Sequence, residues 1–211
     1  MLAFFLQYRA EIEILYFLAG IVVAIAASVG LYQLVLTKRA AQANAKSEAF
    51  RIAAQQCEFY LTRVIPLMNE LDAAAKAQGI ISFGEAHVEF RGGKLHARVK
   101  QPAEITDKCI AIAEPFTIAM NALEAFAVHF TTGVAADIPG FSCIGRTYCR
   151  NVEKLLPELI PLAKSGFYTN IVKLYAIWHA RNEKARIEQQ KIILDRRNND
   201  IKDVEIKTVG L

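Results

Sequence analysis

Arg146 and Arg150 stand four residues apart, and Asn121 and Glu124 stand three apart, so each pair would share one face of a helix. A carboxylate on an otherwise apolar helix needs a partner, and guanidinium groups on a neighbouring helix would supply one. An ion pair between Glu124 and Arg146 or Arg150 is the first expectation. The alternative is a ligand site in which the two arginines hold an anion or a nucleotide. Arg91 and His96 stand five residues apart and are a second pair to weigh. They flank Gly92-Gly93, however, which reads as a turn and not as a phosphate cradle, because no helix N-terminus follows it. The cysteines Cys57, Cys109, Cys143 and Cys149 are scattered, and the six-residue step between the last two is no usual zinc spacing. The histidines His87, His96, His129 and His179 are equally dispersed. With no HExxH and no GxSxG, the sequence offers no catalytic set, no metal site and no cofactor.

The elements that must carry these residues begin with an apolar run. From Ile14 to Leu36 no residue is charged, and at 1.5 Å per residue the run spans roughly 34 Å, enough for a hydrocarbon core of about 30 Å. Tyr16 and Tyr32 lie near its ends, where amphipathic rings favour the headgroup zone. Only Arg9 precedes the run, beside Glu11 and Glu13, whereas Lys38, Arg39 and Lys46 follow at once. The positive-inside rule then places the N-terminus outside and the rest of the chain in the cytosol. A cleaved signal peptide is the rival, since Ala24-Ile25-Ala26 has the small residues of a cleavage site. The segment before it is not basic, and the apolar run continues ten residues past the cut. Gly20, Ala24, Ala27 and Ser28 fall on one face, and in lipid close approach over small residues is how helices associate.

No Gly or Pro interrupts the chain between Gly30 and Pro66, so the span should continue into a cytosolic helix. Along it Phe50, Ala54, Cys57, Leu61, Val64, Met68 and Leu71 alternate spacings of four and three. This stripe would pack on the chain's own domain or against other chains, and Pro66 argues against one unbroken coiled coil. After Gly79 the period changes to two. Ala86, Val88 and Phe90, then Leu95, Ala97 and Val99, read as a hairpin that pairs Phe90 with Leu95, Val88 with Ala97, Glu89 with His96 and Glu85 with Lys100. Thr106-Asp107 can cap a short helix, and Pro115 suits the first turn of the next, whose buried face is Phe116, Met120, Leu123, Ala127 and Phe130. Asp137, Pro139 and Gly140 read as a loop, Ser142 as the cap of a helix carrying Ile144, Tyr148, Val152 and Leu155, and Pro157 and Pro161 as breaks. Ser165-Gly166 marks a turn before a last helix showing Phe167, Ile171, Leu174, Tyr175 and Trp178.

The expected fold is mainly α: an N-terminal transmembrane helix continuing into a cytosolic helical bundle with one β-hairpin. Residues 1–13 form a short extracytoplasmic segment, 14–36 the span, 37–197 the cytosolic domain with its hairpin at about 81–100, and 198–211 a polar tail. The chain's 211 residues, 54% apolar composition and net charge of +4 fit that division. The basic excess is small and mixed with acid, which disfavours nucleic acid as a partner.

This layout resembles an uncharacterised bacterial family of single-pass membrane proteins with a helical cytosolic domain. The matching stretches are Leu31-Tyr32-Gln33-Leu34 before Lys38-Arg39, Asn121-Ala122-Leu123-Glu124-Ala125-Phe126-Ala127 with Gly133 after it, and Leu174-Tyr175-Ala176-Ile177-Trp178. That resemblance implies an anchor and a helical domain but no activity, and the hairpin departs from it. The layout is also similar to small membrane accessory proteins of some CRISPR systems, in which one span joins a helical ribonuclease-like domain without catalysis and the chains assemble into pores. Arg91 and His96 have the Arg-x4-His spacing of small helical ribonucleases, but on a turn instead of a helix. The expected function is thus non-enzymatic: an inner-membrane protein that self-associates through its span and cytosolic helices, as a pore-forming or stress- or phage-responsive effector. A tether for a cytosolic protein partner is the second expectation, and a membrane-bound nuclease or nucleotide-binding protein the third.

Overall fold

The computed structural model describes residues 9–91, 94–100, 108 and 110–202. The chain divides into two units, Met1–Glu48 and Ala49–Leu211. Helix α1 covers Arg9–Phe59, as the absence of Gly and Pro after Gly30 requires. Within the first unit the side chains of 13–48 are all exposed, including Leu15, Val22, Ile25, Leu31 and Leu34.

A single π-helical turn, Tyr60–Val64, joins α1 to α2 (Ile65–Ala77). Its cause is Pro66, which has no N–H for the carbonyl four residues back and whose ring would collide with it. The chain widens by one residue there, and the Ile65 N–H donates to the Tyr60 carbonyl, five residues back. The buried stripe is consequently Ala53, Cys57, Tyr60, Val64, Met68, Leu71 and Ala75. This corrects the expected heptad: Cys57, Val64, Met68 and Leu71 are on the core face, whereas Phe50, Ala54 and Leu61 are exposed. Helix α2 closes through a Schellman turn, with Gly79 at φ +67° donating to the Lys76 carbonyl and Ile80 to that of Ala75.

Strands β1 (Glu85–Arg91) and β2 (Lys94–Lys100) pair antiparallel in the expected register, Glu85 with Lys100 through Phe90 with Leu95. The turn at 92–93, and the expected cap at Thr106-Asp107, lie outside the described residues. Ala86, Val88, Ala97 and Val99, half-buried, pack against the helical core, which gives the two-stranded hairpin the support it needs.

Helix α3 (Ala113–Thr131) buries Ala119, Met120, Leu123, Phe126, Ala127 and Phe130, with Pro115 in its first turn and Phe116 half-buried. Helix α4 (Asp137–Lys164) differs from expectation at both ends. It starts at Asp137 and not after Ser142, because Pro139 falls in the first turn, where no N–H is required. It also continues through Pro157 and Pro161, because burial of Leu155, Leu156, Leu159 and Ile160 outweighs the two missing donors. Helix α5 (Thr169–Lys202) follows a second Schellman turn at Gly166. Phe167 therefore precedes the helix and is exposed, while Ile171, Leu174, Tyr175 and Trp178 are buried. The helix also runs past Asn198, where the polar tail was expected to begin, and ends at Lys202. Residues 203–211 lie outside the described residues.

Candidate functional site

The core of the second unit is an aromatic cluster whose polar tips are all engaged. Trp178 of α5 meets Phe126 and Phe130 of α3 and Phe141 and Tyr148 of α4, with ring centroids 5.1–6.1 Å apart. Tyr60 of the π-turn lies 5.0 Å from Phe126 and 6.1 Å from Tyr148. Buried aromatics need partners for their polar atoms, and each has one. Trp178 Nε1 donates to Asp137 Oδ1 at 2.6 Å, Tyr148 Oη to the Ile171 carbonyl at 2.9 Å, and Asn151 Nδ2 to Tyr60 Oη at 3.1 Å. Burial pushes the Tyr60 hydroxyl up to about 12 and that of Tyr148 well above its ordinary value. Neither phenol is therefore suited to proton transfer near neutrality.

The structure gives Glu124 a different role from the expected ion pair. Its Oε1 accepts from the Asn170 backbone N–H at 3.1 Å and from Asn170 Nδ2 at 2.8 Å, while Oε2 accepts from the Ile171 N–H at 2.9 Å. Glu124 thus caps the first turn of α5 from α3, satisfying orphan donors with a charge that the helix dipole favours. Thr131 Oγ1 donates to Asn170 Oδ1 at 2.7 Å and fixes the amide that completes the cap. Arg146 and Arg150 are both exposed. Only Arg150 borders a cleft of about 250 Å³, with Asn69, Asp72, Asn151 and Lys154 among its neighbours. The two arginines and Glu124 therefore do not assemble into one anion site, because Glu124 is committed to the helix terminus.

A second engaged acid, expected only in a loop, is Asp137. On the first turn of α4, it accepts from Trp178 and from Arg181 Nη2, and the Arg181 guanidinium lies 4.7 Å from the Phe141 ring centroid. Pro139 two positions later was the available signal that Asp137 opens a helix. His87, Glu89, His96 and Arg98 are exposed along the hairpin. The side chain of Arg91 lies outside the described residues, and so does Cys109. Among the described residues no three His, Cys, Asp or Glu side chains cluster as metal ligands.

In the first unit, Gly20, Ala24, Ala27 and Ser28 are all exposed. A methyl group built on Gly20 or on Gly30 would meet nothing within 4 Å. Ser28 Oγ donates to the Ala24 carbonyl at 2.8 Å and Thr37 Oγ1 to that of Gln33 at 2.9 Å, so the hydroxyl protons are satisfied inside the helix. Among the described residues one helix is long and apolar enough to cross a membrane, and none of its most apolar window is buried. No family model, no curated protein and no solved structure matches the chain.

Proposed function

We propose that the protein is a single-pass bacterial inner-membrane protein that self-associates and performs no catalysis of its own. The observation that carries this reading is that every apolar residue of 14–36 is exposed in a single chain. At about 25 cal/mol per Å² such a surface is strongly unfavourable in water and favourable in a bilayer. Lys38, Arg39 and Lys46, against Arg9 with Glu11 and Glu13, favour an outside N-terminus and a cytosolic C-terminal unit, with anionic headgroups around the basic residues. The exposed small-residue face supports association of spans over Gly20, Ala24, Ala27 and Ser28. The engaged tips of the buried aromatics and the capping role of Glu124 leave these groups no part in catalysis.

Mass measurement of the full chain in detergent tests the reading. Self-association gives a mass several times 23.5 kDa, and replacing Ala24→Leu together with Ser28→Leu should weaken it about tenfold or more. A wild-type monomer at micromolar concentration would overturn self-association, and unchanged assembly in the double variant would move the interface elsewhere. One observation favours a second reading, a tether for a cytosolic protein: residues 186–199 of α5 are exposed all round, with Ile187, Ile192, Ile193 and Leu194 among the charges.

A further inference from the structure

Helix α1 and the start of α4 are joined by a ladder of contacts. At its foot the Ala136 N–H donates to the Ala49 carbonyl at 2.9 Å. Near its top Asn151 donates to Tyr60, whose ring also faces Tyr148. Ala49 to Tyr60 is eleven residues and Ala136 to Tyr148 is twelve, so at 1.5 Å per residue the two segments rise side by side in one direction. Cys57 lies eight residues above the first rung and Cys143 seven, which brings them to one level, about 11 Å up. The two thiols are neighbours, since each enters the other's electrostatic surroundings. Both are free thiols; Cys57 is buried on the core stripe and Cys143 is exposed. Cys149, six residues further along α4, is also a free thiol and is buried.

We infer that Cys143 and Cys57 form a peroxide-responsive dithiol, a modification site that ties α1 covalently to α4. An exposed thiol beside a resolving cysteine is the arrangement by which sensor thiols are oxidised and recovered. The Cys143 thiolate attacks one oxygen of hydrogen peroxide, the O–O bond breaks, and sulfenic acid and hydroxide result. Cys57 sulfur then attacks the Cys143 sulfur; the S–S bond forms, the sulfenic oxygen leaves with the Cys57 proton as water, and the peroxide has taken up the two electrons. The order follows from access: peroxide reaches the exposed Cys143 first, and the buried Cys57 beside it is the partner that closes the bridge. A cytosolic thiol pool would reopen it, which makes the bridge a transient state and not a structural disulfide.

The test uses the full chain in detergent. It is treated with a small excess of hydrogen peroxide, alkylated after denaturation and mapped by mass spectrometry. Two of the four cysteines should escape alkylation. One dithiothreitol-sensitive peptide pair should join Cys57 to Cys143. In Cys57→Ser the sulfenic acid on Cys143 should persist and take up dimedone several-fold more than in the wild type. Full alkylation of both thiols after peroxide, a Cys143–Cys143 link between chains, or equal dimedone labelling of the two proteins would overturn the inference. The wild-type peptide map carries the test even if the serine variant folds poorly.

Discussion

At the scale of single residues, the most consequential side chain is Glu124. It holds three N–H donors of the first turn of α5, two of them backbone groups with no intrahelical acceptor. Glu124→Ala should therefore lower the unfolding free energy by about 2–4 kcal/mol, as read from urea denaturation of the full chain. Glu124→Gln, which keeps the acceptor oxygen but not the charge, should cost about half as much. The sequence marked Glu124 as a carboxylate in need of a partner, and it was right about the need. It could not identify the partner, because Asn170 and Ile171 lie 46 and 47 residues away and become donors only where α5 begins. Asp137 was hidden for a related reason: its role depends on Trp178 and Arg181, more than 40 positions later.

At the scale of elements, two glycines of α4 respond unequally to the same change. A methyl group at Gly140 would sit 2.2 Å from Phe130 Cε1, a buried ring already wedged between Phe126 and Trp178. At Gly145 the nearest atom, at 2.4 Å, belongs to Phe141, which is half-exposed and one turn earlier on the same helix. Gly140→Ala should destabilise by about 1–3 kcal/mol, whereas Gly145→Ala should cost less: half-buried Phe141 can shift, but only by loosening its contacts with Trp178 and Arg181. Paired thermal or urea unfolding of the two variants checks the contrast. The hairpin register was readable because period-two alternation and a Gly-Gly turn constrain it together. The core face of α1 was readable only in part. Pro66 was visible, but the π-turn it causes moves Tyr60 inward in place of Leu61, and a regular heptad cannot anticipate that extra residue. The persistence of α4 through Pro157 and Pro161 was unreadable for a different reason, namely that tertiary burial there overrides a local rule.

At the scale of the whole molecule, the buried ionisable groups give the protein an alkaline limit. Burial holds the thiols of Cys57 and Cys149 at about 12 against an ordinary 9.0, and the Tyr60 hydroxyl at about 12 against 10.0; Tyr148 and Tyr175 are raised as well. Each group stays neutral in the folded chain after its unfolded counterpart has ionised, so the unfolded state binds fewer protons and stability falls as pH rises. Stability contributed by these groups is complete below about pH 9 and is lost progressively towards pH 12, with Tyr60 alone worth about 2–3 kcal/mol over that range. Urea midpoints measured at pH 8, 9.5 and 11 should therefore decline with increasing steepness; a midpoint unchanged at pH 11 would mean these side chains are more hydrated than their burial indicates. The cap on α5 has a further consequence, for the order of folding. A helix whose first turn is closed by a residue 46 positions upstream gains that stabilisation only after a long loop has closed, so α5 cannot complete its N-terminus ahead of α3. Helix α5 then locks late, and substitutions at Glu124 should accelerate unfolding far more than they slow folding.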